Sequence, residues 1–206
     1  MWLPWVFSSG WASGVNAYLT ILQLGVLGRV FDADGVPTAL MRTDVMVAAG
    51  CMYAIEFVTD KIPYVDSTWD AIHTLIRPTI GVGIGLLVTG DADTLVQAAA
   101  GATGGITALA SHLTKASTRL ALNLSPEPLT NVAASVGEDL AVGSVIAIVV
   151  VAPWVAASIA ATLLLLGLLL IWRLQRRIRR TLAKLRARRA SRAGSRRAEA
   201  PGNPSM

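Results

Sequence analysis

The sequence predicts an all-α, polytopic membrane bundle, on three observations. Hydrophobic residues make up 53% of the 206-residue chain and charged ones only 15%, the balance of a membrane protein rather than a soluble domain. Apolar stretches of about 20 residues, the length that crosses a bilayer, recur from one end of the chain to residue 173. Many of the remaining charges sit inside or beside those stretches, where a charge costs roughly 2.5–3.5 kcal/mol on insertion scales unless it finds a partner or water.

Taken in order, the apolar segments place about six transmembrane helices near 10–30, 41–61, 68–90, 93–114, 129–151 and 154–173, in a transmembrane domain over residues 1–172. The first segment has no Lys or Arg before Arg29, so it lacks the charged start of a secretory signal and is expected to stay as a span. Pro63 in DKIPYVD ends the second span, because it cannot donate a backbone hydrogen bond and disfavours helix at Ile62. Asp66 or Ser67 then caps the third, and Arg77-Pro78 is expected to loosen it ahead of Gly81, Gly83 and Gly85. Ser125-Pro126-Glu127-Pro128 breaks the chain before the fifth span. Ala141–Ala152 and Trp154–Trp172 are too long together for one crossing, so a tight hairpin at Ala152-Pro153-Trp154 is expected.

The formal charge of +5 conceals an asymmetry. Residues 173–206 hold twelve Lys/Arg and one acid, whereas residues 1–172 hold six Lys/Arg and twelve acids. The tail over 173–197 sets Leu174, Ile178, Leu182 and Leu185 on one stripe among arginines, a basic amphipathic helix suited to anionic phospholipid headgroups. Residues 198–206 have a disordered composition. By the positive-inside rule this tail faces the cytoplasm. An even number of spans puts the amino terminus there too, with Lys61, Lys115 and Arg119 inside and the Asp91–Asp93 turn outside, in a bacterial inner or plasma membrane. Trp2, Trp5, Trp154 and Trp172 suit interfacial anchors. The one cysteine, Cys51, lies in an apolar run, is read as a packing residue and can form no intramolecular disulfide.

Residues 10–22 align without gaps onto 101–113, sharing Gly10/Gly101, Gly14/Gly105, Ala17/Ala108 and Leu22/Leu113. The alignment fits two inverted three-helix repeats with a site at their interface. The recurrence of Gly and Ala in any closely packed membrane helix accounts for the same identities. GxxxG at 10–14, 81–85 and 101–105 offers close helix contacts within or between protomers, so a homo-oligomer is a natural expectation.

Two polar constellations carry the candidate site. In EFVTDKIPYVDSTWDAIHTLIRP, Glu56 and Asp60 share one helix face, and Asp66, Asp70, His73 and Arg77 follow at four-, three- and four-residue steps on one face of the next helix. The hairpin between them would gather four carboxylates with Lys61, His73 and Arg77. A proton relay through Glu56, Asp60 and His73, a metal held by Asp66, Asp70 and His73, and a self-neutralising ion lattice all fit that pattern. In the second constellation Lys115 and Arg119 share a face, either meeting headgroups or phosphates at the cytoplasmic surface or serving as ordinary positive-inside charge. Asn131, Ser135 and Glu138 form an inward stripe with Asp139 beside it. His112 reads as an interfacial polar residue. Asn16, which follows GxxxG within the first span, is placed to cap a broken helix, to bond a neighbouring carboxylate, or to glue two helices.

The segments GWASGVNAY, EFVTDKIPYVDSTWDAIHTLIRP and KASTR…SPEPLTNVAASVGED resemble an uncharacterised bacterial family of small integral-membrane proteins known as a domain of unknown function, over roughly residues 8–150. The resemblance implies a membrane fold and places the matching polar positions in the family pattern. It implies no reaction or ligand, and the arginine-rich tail lies outside it.

These observations favour a transporter, channel or lipid translocator for a small ion or anionic substrate. Glu56, Asp60, Glu138 and Asp139 would take a cation or proton, and Arg77, Lys115 and Arg119 an anionic group. A structural or assembly protein held by its charge lattice is the alternative. A membrane enzyme on lipid phosphates ranks lower, because no nucleophile-plus-base signature is present and no catalytic residue is assigned. No cofactor is expected, and nothing in the sequence calls for nucleic acid.

Overall fold

The computed structural model of the chain describes the backbone over residues 2–123 and 128–198, and the side chains within that range apart from Pro128, Ile178 and 180–198. Seven α-helices and no strands occur among the described residues: α1 (Leu3–Val15), α2 (Ala17–Val30), α3 (Thr43–Thr59), α4 (Val65–Val88), α5 (Thr94–Leu122), α6 (Pro128–Val151) and α7 (Pro153–Ala198), with a short 3-10 turn at Thr38–Met41. Three stretches, Val65–Val88, Leu129–Val151 and Pro153–Arg177, are long and apolar enough to cross a membrane. The chain divides into two compact units, Met1–Gly167 and Leu168–Met206.

The expected first span over 10–30 is not one helix. Asn16 adopts an extended conformation, φ −148° and ψ 98°, and separates α1 from α2. Its side-chain oxygen accepts from the Leu19 backbone N–H at 3.0 Å, the N-cap bond that starts α2. The chain then turns back on itself, because Gly35, past the end of α2, lies against the Trp5 indole at the start of α1. The two short helices form a V, each about 20 Å long at 1.5 Å per residue. Trp5 is consequently buried with Ala33, Val36 and Leu40 rather than set at an interface.

The later helices alternate in direction around this V. Met46 of α3 meets Gly25 and Leu22 meets Gly50, so α3 runs antiparallel to α2. Gly81 meets Gly104 and Gly85 meets Ala100, which sets α4 and α5 antiparallel. Gly10 meets Gly104 and Gly14 meets Ala108, so α1 and α5, whose sequences align, run side by side in the same direction. Ala156 and Ala160 of α7 share one buried cluster with Val142, Val145, Ile146 and Val149 of α6. The chain therefore reverses at Ala152, where α6 stops and α7 begins, as the Pro153 signal predicts.

Several local expectations change. α4 passes through Pro78 without interruption, since a proline in a packed membrane helix is tolerated where neighbours accommodate the freed backbone. The residue before its first turn is Tyr64, at φ +68°. Asp66 lies inside that turn, accepting from the Ser67 N–H at 2.6 Å, rather than at the cap. Cys51 is exposed on α3 instead of packed. The expected break at Ser125-Pro126-Glu127 and the expected disorder of 199–206 lie outside the described residues. The tail stripe is described at Leu174 only, within a helix that continues to Ala198.

Glycine sets how closely the helices approach, and GxxxG serves contacts inside this chain. A Cβ on Gly10 would lie 2.7 Å from the Gly104 carbonyl oxygen, and one on Gly81 would lie 2.7 Å from the Ala108 Cβ. Gly83, two residues from Gly81, has no atom within 4 Å of a Cβ built on it. Gly81→Val is therefore expected to destabilise the fold by about 1–3 kcal/mol, as overpacking does, and to lower the yield of monodisperse protein. Gly83→Val leaves both unchanged. Size-exclusion chromatography and thermal unfolding of the two variants side by side check this.

Candidate functional site

Four segments deliver one buried ion network. α3 contributes Glu56 and the following Asp60, α4 contributes Asp66, Asp70 and Arg77, α5 contributes Lys115 and Arg119, and α6 contributes Glu138. Arg77 Nη2 is 2.7 Å from Glu56 Oε1 and 3.2 Å from Asp70 Oδ1. Lys115 Nζ lies 2.5 Å from Asp60 Oδ2, 3.5 Å from Glu56 and 3.6 Å from Glu138. Arg119 Nη2 is 2.5 Å from Glu138 Oε2, and its Nη1 is 3.7 Å from Asp66 Oδ2. The side chains of Arg77 and Arg119 are completely buried, whereas that of Glu138 remains 21% exposed.

The backbone completes the cation shells. Because α1 stops at Val15, the carbonyls of its last turn are open to side chains: Gly14 accepts from Arg77 Nη1 at 3.2 Å and Val15 from Lys115 Nζ at 3.1 Å. A helix carboxyl end carries partial negative charge and suits cations. Arg119 Nη1 likewise donates to the Asp60 carbonyl at 2.5 Å. Asn16, at the apex of the V, uses its oxygen to cap α2 and its nitrogen to donate to Asp139 Oδ1 at 2.9 Å. Tyr53 donates to the other Asp139 oxygen at 3.4 Å.

Hydrogen bonding fixes His112 as a neutral ring and places a proton on His73 Nδ1. Arg77 Nη1 donates to His112 Nδ1 at 3.0 Å, and a guanidinium has no acceptor. The His112 proton is therefore on Nε2, facing Thr74 Oγ1 at 3.2 Å, while the Thr74 hydroxyl donates onward to the Asp70 carbonyl. His73 faces the Trp69 carbonyl with Nδ1 at 2.8 Å, so that nitrogen carries a proton, and Nε2 shares a hydrogen bond with the Tyr18 hydroxyl at 2.8 Å. Trp69 stacks on the same imidazole, 4.4 Å between centroids.

The formal balance is uneven. Three cations, Arg77, Lys115 and Arg119, face five carboxylates, Glu56, Asp60, Asp66, Asp70 and Glu138. Asp66 is well supplied, accepting from Asn123, Asn131 and the Ser67 N–H. Asp70 is not: among the described residues nothing donates a hydrogen bond to either carboxylate oxygen, and Glu56 Oε2 and Asp60 Oδ1 share that condition.

The structure unites most of the expected residues and reassigns several. Asp66, Asp70, His73 and Arg77 are buried on one face of α4, and Asn131, Ser135 and Glu138 turn inward. Lys115 and Arg119 do not meet headgroups or the cytoplasmic surface, because both are buried in ion pairs. His112 is fully buried against Arg77 rather than interfacial. Lys61 stays at the rim, its ammonium 3.0 Å above the Phe57 ring and 3.3 Å from Ser135 Oγ. The metal reading of Asp66, Asp70 and His73 fails, since no group of acids, histidines or cysteines placed to hold a metal ion exists among the described residues. Asn123, Tyr18 and Tyr53 join the site unannounced by the sequence.

Removing the Arg77 charge strands Glu56, its hydrogen-bonded partner at 2.7 Å. Arg77→Gln is therefore expected to cost about 3–5 kcal/mol, the penalty for breaking a buried pair, and Glu56→Gln added to it should recover part of that loss. Thermal or denaturant unfolding of the two single variants and the double checks the coupling. At the apex, Asn16→Ala should cost about 1–2 kcal/mol through the lost cap and carboxylate bond, and Asn16→Asp should cost more by facing Asp139 with a second carboxylate.

No curated protein and no solved structure matches the chain significantly. A family profile does match, over residues 3–173, a wider range than the sequence motifs alone mark. With most of its length covered by that profile, the chain belongs to the family described as Domain of unknown function (DUF4126).

Proposed function

We propose that the protein is a small proton-handling transporter of the bilayer, with Asp70 as the group that carries the proton. The observation behind this reading is the excess of carboxylates over cations in the network, four buried and a fifth at its edge against three buried cations, with both Asp70 oxygens free of hydrogen bonds among the described residues. An uncompensated negative charge in a low-dielectric interior is costly, and the neutral acid is the economical state. Ionisable groups inside membrane bundles serve as proton relays on the same physical grounds. An anionic substrate is disfavoured, because every buried cation is already held by carboxylates.

The topology in this reading differs from two inverted three-helix halves. α1 and α5 run parallel, whereas equivalent helices of an inverted pair run in opposite directions. We place five crossing helices, α3 to α7, around a V that enters from one face and ends at Asn16 near mid-depth. Each arm of the V, at about 20 Å, is shorter than the roughly 30 Å hydrocarbon core. A broken helix whose exposed carbonyls hold cations inside the membrane is the arrangement transporters use at their sites. With a cytoplasmic basic tail, an odd number of crossings sets the amino terminus on the opposite face.

The test is proton flux into dye-loaded proteoliposomes under an imposed gradient, with an electrical shunt. Flux well above protein-free vesicles is expected, falling about 100-fold in Asp70→Asn, the scale of a lost proton-transfer group. A sodium gradient alone should drive none. Flux at the protein-free level, or unchanged in Asp70→Asn, contradicts the reading. If the absence of flux comes with a more stable Asp70→Asn protein, the lattice serves helix packing alone.

A further inference from the structure

The ion network reaches the outside of the bundle at one carboxylate. Glu138 keeps 21% of its side chain exposed, against 3% or less for Arg77, Lys115, Arg119, Glu56, Asp60, Asp66 and Asp70. It opens into a crevice of about 320 Å³ whose walls come from α1, α5, α6 and α7, near the lower end of the size range of small-molecule sites. Trp11, Ala134, Ala141, Leu163 and Leu164 make those walls apolar. The hydroxyls along α5 offer little competing polarity, since Ser111 donates to the Trp11 and Ala108 carbonyls, Thr114 to Ala110 and Thr118 to Thr114.

Charge decides what the crevice takes. Lys115 borders it, but its ammonium is held by Asp60 at 2.5 Å and by the Val15 carbonyl at 3.1 Å. An anionic head would have to displace those ligands beside a network already rich in carboxylate. A cationic head meets Glu138, which Arg119 holds closely at Oε2, 2.5 Å, and loosely at Oε1, 3.5 Å, and reduces the acid excess, while an apolar body replaces lipid or water along the walls. We propose that this crevice binds an amphipathic organic cation, its charged centre at Glu138 and its body against Trp11, Leu163 and Leu164. This deepens the transport reading by naming a substrate class and rests on it for direction of use, although binding is measurable alone.

Gly137 supplies a clean probe. It lines the crevice, yet a Cβ built on it meets no atom within 4 Å, so Gly137→Leu fills the space without pressing on the bundle. The experiment measures saturable binding of tetraphenylphosphonium to the full chain in phosphatidylcholine nanodiscs, with empty discs subtracted. Tetraphenylborate, an anion of the same shape, runs alongside. The expected result is saturable binding of the cation, none of the anion, and weakening by roughly tenfold or more in both Gly137→Leu and Glu138→Gln, with Gly137→Leu as stable as the parent. Equal binding of both ions, no saturable cation binding, or binding indifferent to Gly137→Leu overturns the proposal. Cation binding without proton flux would retain the crevice and remove the proton reading; flux without cation binding would do the reverse.

Discussion

The fold turns on the burial of one guanidinium. Arg77 sits midway along α4 with no exposed surface, and its donors reach Glu56 on α3, Asp70 on its own helix, His112 on α5 and the Gly14 carbonyl at the end of α1. A charge so placed is tolerable only if every one of those groups arrives in register. The requirement fixes the depth of α3 against α4, the single tautomer of His112 and the level at which α1 must stop. Lys115 and Arg119 repeat the scheme one and two turns further along α5, with Asp60 and Glu138 as partners.

The V made by α1 and α2 is the second constraint, and it follows from the first. A continuous helix through residue 16 would bond its own carbonyls internally and leave Arg77 and Lys115 short of acceptors. Breaking it at Asn16 releases the Gly14 and Val15 carbonyls toward the two cations, while one amide caps the outgoing helix and holds Asp139. The close glycine contacts of α1 with α5 and of α4 with α5 let these short elements approach near enough for the polar groups to meet. Packing and electrostatics therefore depend on the same residues, and both terminate at Glu138, where the network touches the crevice between α1, α5, α6 and α7.

Much of the site was legible because helical spacing is enough to predict a shared face. Asp66, Asp70, His73 and Arg77 declared themselves that way, as did Asn131, Ser135 and Glu138, and the position of Asn16 after GxxxG in the first span suggested both of its bonds. Lys115 and Arg119 were misplaced because two basic residues near the end of an apolar stretch look the same whether they meet headgroups or carboxylates; only the partner's position, Asp60 in a distant segment, distinguishes them. His112, read as interfacial, is buried against Arg77 and is ambiguous in the sequence for the same reason. The chain reversal at Asn16 left no periodic mark, since one extended residue between two apolar helices reads as a single span. Asn123, which holds Asp66, has no local signature either, and although the twelve acids against six Lys/Arg in residues 1–172 signal an acid excess, only the fold shows which of them face one another.

A proton on a buried acid offsets this imbalance, and infrared spectroscopy of the purified protein in lipid at neutral pH detects it, because a protonated carboxylic acid and an ionised carboxylate absorb at separate positions. A protonated C=O band is expected in the intact protein and diminishes when Asp70 is replaced by Asn. A spectrum in which every carboxylate is ionised would contradict it.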